Sequence, residues 1–235
     1  MTGRFLIGEP SVKCSLNEVL SLAAKASRGA GLPWGLAEEA ASAVHWLHEF
    51  GWPGTDLLCG CLQDFAKGAV ALFDGLPEQP LGVWSADSKA LSPILLGTVV
   101  NDRVQRIAAG EQVATKRVGW PLLVLPFVAG ATARVECSLA LEWPGTCLYV
   151  REGARVHVAE DATLLTSGAQ GMSCRMISNE SIPSAALSAR RRAVGSGTVM
   201  SRQTWEVLTE FARGTYVPAS RHSRARGAGE SAGAF

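Results

Sequence analysis

Charge is scarce in this chain. Only 18% of its 235 residues are Asp, Glu, Lys or Arg, against about 25% in an ordinary soluble domain, so part of the surface is expected to lie against a partner. The net charge is +1, which leaves no basic excess to hold nucleic acid. No apolar run approaches the ~18 residues of a membrane span. Met1 to Lys13 lack the apolar core of a signal peptide. The six cysteines, at 14, 59, 61, 137, 147 and 174, are therefore expected as reduced thiols in the cytoplasm. No repeat of 20–50 residues is visible. No G-x-S-x-G elbow occurs, and no glycine loop is followed by the lysine–serine pair of a phosphate loop. No metal and no cofactor is expected, and the catalytic residues stay unknown.

Against these absences stands one clear pattern. Val135, Cys137, Leu139, Leu141 and Trp143 alternate with Glu136, Ser138, Ala140 and Glu142. A period of two describes a strand with one apolar and one mostly wetted face. Pro144 and Gly145 then suit the centre of a type II turn.

The first third reads as helices. Ser15-Leu16-Asn17-Glu18 is a capping-box pattern, and Leu16, Val19, Leu20 and Ala23 form a stripe that Gly29 can end. Pro33 opens a second helix through Leu36, Ala40, Val44 and Leu47, stopped by Gly51 and Pro53. Thr55 is the expected cap of a third, with Leu58, Cys61, Leu62 and Phe65 on one face. Residues 69–73 fit a helix extension or a short strand equally well.

From Asp74 to Pro93 the density of glycine and proline predicts a long connection. Ile94 to Val100 reads as a buried strand, and Asn101 to Ala109 as a short helix before Gly110. Val118 to Val128 is apolar but holds Pro121 and Pro126, which predicts an edge or bulged strand. Thr146–Arg151, Arg155–Val158, Leu164–Thr166 and Met172–Ser178 complete an antiparallel meander with Val135–Trp143. A final helix begins near Ser201, with Trp205, Leu208 and Phe211 facing inward. Beyond Pro218 the tail is rich in Gly, Ala, Ser and Arg and has little to bury. The expected fold class is α+β: an N-terminal helical cluster packed on an antiparallel β-meander, with a C-terminal helix and a flexible tail. It forms one unit over 1–235, helical in 15–73, mainly β in 94–178, helical again in 200–214, and flexible in 218–235.

Several residues invite chemistry. Cys59 and Cys61 are one residue apart, closer than a metal pair requires. On a helix Cys61 would face the core and Cys59 the solvent. His45 and His48 lie three apart on the second helix, where a zinc-protease helix needs four; the simpler reading is two polar residues on a solvated or interfacial face. His157 stands alone on its strand. Gly168-Ala169-Gln170-Gly171 and Gly227-Ala228-Gly229 are glycine-bearing, but neither joins a strand to a helix. Arg190-Arg191-Arg192 lacks aromatic neighbours, so a solvated loop explains it. Arg103, Lys116 and Arg117, with the tail residues Arg221, Arg224 and Arg226, are the candidate binders of an anion or ligand.

The run Ser15-Leu16-Asn17-Glu18-Val19, the run Lys25 to Ala40, Trp120 to Pro126, Thr215 to Ser220 and Arg224 to Gly229 together resemble a bacterial family known only as a domain of unknown function. That resemblance implies a single-unit cytoplasmic protein and brings no activity. More loosely, the N-terminal helices are similar to those of the malate/lactate dehydrogenase-like family. The Ser-His-Gly expected after the second helix is replaced here by Gly51-Trp52-Pro53-Gly54.

Two readings of function follow. The first is a non-catalytic binding or assembly protein. Its partner is a small anionic ligand, another protein or a second copy of the chain, with Trp34, Trp46, Trp52 and Trp84 as candidate interface aromatics; no nucleic acid and no membrane is expected. The second is an enzyme acting on a small polar or anionic metabolite between helices and sheet, through Trp34, Arg103, Lys116, Arg117 or the tail arginines.

Overall fold

The computed structural model describes residues 10–72, 83–86, 88–135, 137–151, 155–182, 189–190 and 197–215. The chain is α+β, and its sheets are mixed rather than a pure antiparallel meander. β1 (Ser11–Ser15) pairs antiparallel with β13 (Gly197–Ser201), which brings the two ends of the described chain together. α1 (Leu16–Gly29) starts at the capping box read from the sequence. The Glu18 N–H donates to Ser15 Oγ at 3.2 Å, and the Ser15 N–H donates to the Glu18 carboxylate at 2.7 Å.

α1 packs on α2 (Trp34–Glu49) and on α7 (Arg202–Arg213), and α3 (Gly54–Ala66) closes the cluster. α1 ends at Gly29, as expected, and the absent side chain there also lets it touch α7. A Cβ there would fall 1.7 Å from the Phe211 carbonyl oxygen, so the two helix ends meet backbone to backbone. Thr55 is not the cap of α3. It lies buried inside the first turn, after Pro53.

The largest correction concerns 93–134, part of the stretch expected to be mainly β. Ile94 to Val100 belongs to α4 (Pro93–Asp102), and the Leu95 N–H donates to the Ser92 hydroxyl that caps it. α5 (Val104–Ala108) follows as expected. Val118 to Val128 is no edge strand. It is a short strand end, a 3₁₀ turn over Pro121–Val124, and α6 (Leu125–Arg134). Pro121 and Pro126 sit in first turns, where a missing N–H costs nothing. From Leu122 to Leu125 no side chain is exposed at all. A helical segment buried on every side shows no amphipathic period, so its apolar run imitates a strand.

The short strands assemble two sheets. β2 (Val70–Ala71), β4 (Ala90–Leu91) and β6 (Arg117–Gly119) run parallel, and β10 (Gly168–Gln170) joins β6 antiparallel. The larger sheet runs β12 (Ala189–Arg190), β9 (Arg155–Asp161), β8 (Thr146–Arg151), β7 (Ser138–Trp143), β11 (Ser173–Ile177), β5 (Val113–Thr115) and β3 (Val83–Trp84). Only β3 pairs parallel in it. Leu164 to Thr166 is a turn rather than a strand, and β11 returns to the far side of β7 instead of extending the meander.

β7 keeps the predicted apolar face but loses the wetted one: Ser138 and Ala140 are buried as well, whereas Cys137 is only half-buried. The reason lies in register. Ala140 stands between Tyr149 and Arg175 on the flanking strands, whose long side chains can lie over a small neighbour. Arg175 donates two hydrogen bonds to Glu142, at 3.1 and 3.3 Å.

α7 docks through Thr204, Leu208 and Ala212, while Trp205 and Phe211 are only partly buried. Leu208→Ala is therefore expected to destabilise by about 2–5 kcal/mol, and Trp205→Ala by less. Urea unfolding of both variants checks this; an equal or reversed order would contradict the docking face.

A basic corner at the junction of the two sheets

An ordinary strand alternates, but Thr115 and Val118 are buried and both residues between them are exposed. The chain kinks here. β5 belongs to the larger sheet and β6 to the smaller, so the strand changes sheets at Lys116 and turns two consecutive cations, Lys116 and Arg117, outward. Backbone bonds fix the kink. The Lys116 N–H donates to the Trp84 carbonyl, and the Gly171 N–H donates to the Lys116 carbonyl, each at 2.9 Å. Arg117 Nη1 donates to the Ser88 carbonyl at 2.8 Å, and Gln170 stands opposite Arg117 in the β6–β10 pair.

Two features read separately from the sequence thus meet. Gly168 to Gly171 forms no phosphate loop at a helix start; it supplies β10 and a turn, with Gly171 at φ +72°, beside Lys116 and Arg117. Ser88 and Gln170 belong to the same corner, and no local sequence pattern marks either, because a long-range hydrogen bond and the pairing of distant strands collect them. Asp87 lies outside the described residues.

Arg103 sits behind the corner in a structural role. Its guanidinium lies 5.1 Å from the Trp84 ring centroid, and Nη1 meets Glu111 at 2.8 Å. Arg106 Nε meets the other oxygen of Glu111 at 2.6 Å, so two guanidiniums on one carboxylate leave one positive charge in excess. Among the described residues the ion pairs use Glu49, Glu111, Glu142, Glu206 and Glu210, and none reaches Lys116 or Arg117. Lys116 and Arg117 stand together at the kink, while Arg103 is tied to Trp84, whose carbonyl receives the Lys116 N–H. Arg221, Arg224 and Arg226, together with Gly227 to Gly229, lie outside the described residues, as do Arg191 and Arg192.

The other candidates are committed to the fold. His48 Nε2 accepts the Thr55 N–H at 3.2 Å, so the imidazole caps α3. Its proton then sits on Nδ1 and faces the Thr198 hydroxyl at 3.1 Å, tying α2 and α3 to β13. Burial, reinforced by His45, lowers its pKa to about 4. His45 faces Glu49 at 3.9 Å rather than sharing an ion with His48. His157 is buried opposite Tyr149 and Ala189. Cys59 does not face solvent: it is buried like Cys61, because α3 is covered on both sides by its neighbours. Burial raises the thiols of Cys59 to about 11 and of Cys61 and Cys174 to about 12, which keeps them unreactive. Among the described residues no group of three or more His, Cys, Asp or Glu could hold a metal, and no helix is long and apolar enough to cross a membrane.

The tryptophans divide. Trp52 and Trp84 are buried, and Trp46, Phe50 and Trp52 stack in one series, with 4.1 Å between the first two ring centroids. Trp34 is 66% exposed, yet its Nε1 donates to Glu38 at 2.8 Å and Arg28 lies over the ring.

A family model described as a protein of unknown function (DUF3726) matches residues 14–91, in line with the resemblance read from the sequence. No curated protein matches the chain. The fold is similar to that of a crystal structure described as a dehydrogenase from Sinorhizobium meliloti, at 10% identity over 86% of this chain and 100% of that one, with a TM-score of 0.60. A weaker likeness, TM-score 0.47, is to malate dehydrogenase from Pyrococcus horikoshii OT3, at 13% identity over 65% of this chain and 51% of that one. The first likeness concerns the fold alone.

Two predictions follow from the committed side chains. Native-state thiol labelling read by mass spectrometry should modify Cys137 and Cys147 before Cys61 and Cys174, with Cys59 slow as well; fast labelling of Cys59 would contradict its burial. His48 has a lowered folded-state pKa, so the unfolded chain takes up a proton first as pH falls. Its stabilisation should be complete above about pH 6.5 and should fade between there and about pH 4, a loss of roughly 3–4 kcal/mol. Chemical unfolding across that range should show the slope, and His48→Asn should flatten it.

Proposed function

We propose that this protein is a non-catalytic binding protein whose ligand carries an anionic group, held at the kink between β5 and β6. The observation that carries this reading is the pair Lys116–Arg117. Two consecutive cations are both exposed where the strand changes sheets, on a backbone fixed by hydrogen bonds, with no ion-pair partner among the described residues. A preset cation pair gives electrostatic attraction with little reorganisation on binding.

The enzyme reading would place a metabolite between helices and sheet. There Leu122, Leu123, Val124 and Leu125 pack without exposure, and His48 and the buried thiols are spent on structure. Those facts favour binding at the rim over turnover in the interior. The six cysteines, none joined to another, accord with the cytoplasmic location adopted in this reading.

Isothermal titration of the full chain with a panel of phosphates and carboxylates tests the proposal. At least one anion should bind, more weakly as salt screens the site. The double charge reversal K116E/R117E should weaken that binding at least tenfold while the melting temperature stays close to that of the parent. Binding that survives the reversal unchanged would sink the reading.

A further inference from the structure

Resting on the reading above, we infer that the corner is built for a phosphate monoester in its dianionic form. Three observations carry this. The first is the amount of charge. Lys116 and Arg117 are consecutive, both exposed, and without an ion-pair partner among the described residues. A single carboxylate would leave much of that charge unmatched; a phosphate monoester carries nearly two negative charges at neutral pH.

The second is the kind of donor. Arg117 Nη1 is already donating to Ser88, which restricts the free fork that grips a flat carboxylate edge to edge. Lys116 is a compact point charge with three rotatable donors, and a tetrahedral group with three terminal oxygens can accept from it and from Arg117 at once.

The third is access. The residues flanking the cations are slight or polar: Ser88, Gln170 and Gly171. Gln170 is exposed opposite Arg117 and adds an amide donor. A Cβ placed on Gly171 would meet nothing within 4 Å, so open space lies beside the kink. A group on a stem can enter such a site while its ester substituent stays in solvent. That chemistry is shared by soluble phosphate esters and by phosphatidic acid at a membrane surface.

The test titrates the full chain with methyl phosphate, dimethyl phosphate, inorganic phosphate and succinate between pH 5 and pH 7.5. Methyl phosphate should gain about tenfold in affinity over that range as its second proton leaves, since that pKa is near 6. Inorganic phosphate should gain as well, but at higher pH, because it holds its second proton more tightly. Dimethyl phosphate, which has no second proton, should bind weakly with no such gain; an equal gain there would assign the pH dependence to the protein and overturn the inference. K116Q and R117Q should each reduce methyl phosphate binding without abolishing the fold, read by circular dichroism. Succinate binding as tightly as methyl phosphate at pH 7.5 would overturn the dianion assignment while leaving the anion-binding reading intact. Silence from every anion would remove both. Co-sedimentation with phosphatidic acid vesicles, set against phosphatidylcholine vesicles, separates the two sources: preferential retention supports a lipid monoester, and methyl phosphate binding without retention supports a soluble one.

Discussion

The close packing of α6 against its surroundings is the constraint on which the rest of the structure depends. Phe127 fills the space over Gly97 on α4 so closely that a Cβ at Gly97 would lie 2.2 Å from the ring. The 3₁₀ turn ahead of α6 touches α2, α3 and α4, and α6 itself packs on β7 and β8. One element thus joins the helical cluster to the larger sheet. Interiors at this density tolerate neither a missing nor an added methylene cheaply. One hydrophobic cluster accordingly runs from Cys14 to Leu208.

That central element also determines where chemistry can occur. With the interior filled by Leu122 to Leu125, polar groups are left to brace helix ends or to stand at the rim. His48 caps α3. Asp64 accepts a hydrogen bond from Trp120 Nε1 at 2.9 Å, which helps hold Trp120 at its unusual φ of +48° just before the 3₁₀ turn. A bulky residue at positive φ is strained and persists only where its surroundings over-determine it. Four residues upstream of this pinned tryptophan, the strand makes its kink and presents Lys116 and Arg117. The basic corner is thus held on one side by the buried helix it leads into and on the other by the β3–β4 turn.

Much of the helical cluster was legible in the sequence because its helices are amphipathic and carry local punctuation. The Ser15–Glu18 box needs only four residues to be recognised, and Ser201, Gly51 and Gly110 mark ends in the same local way. The middle of the chain was not legible. α4 and α6 are apolar nearly all round, so their runs lack the helical period and read as strands. Cys59 is buried against expectation for a related cause: α3 is enclosed on both sides, and a one-face rule fails for an enclosed helix. At the candidate site Arg103, Lys116 and Arg117 could be named from their residue types. Arg117 reaches Ser88 through a side-chain hydrogen bond and Gln170 through strand pairing across more than fifty residues, which no local pattern encodes.

The most direct measurement of the central claim is a map of amide chemical shifts in the full-length, isotope-labelled protein titrated with inorganic phosphate. The account places the perturbed amides at the kink from Thr115 to Gly119, in the turn around Ser88 and Lys89, and from Gly168 to Met172, with the stacked aromatics near Trp46 and the α7 surface unmoved. Perturbations centred on those other surfaces, or a spectrum unchanged at millimolar phosphate, would contradict it.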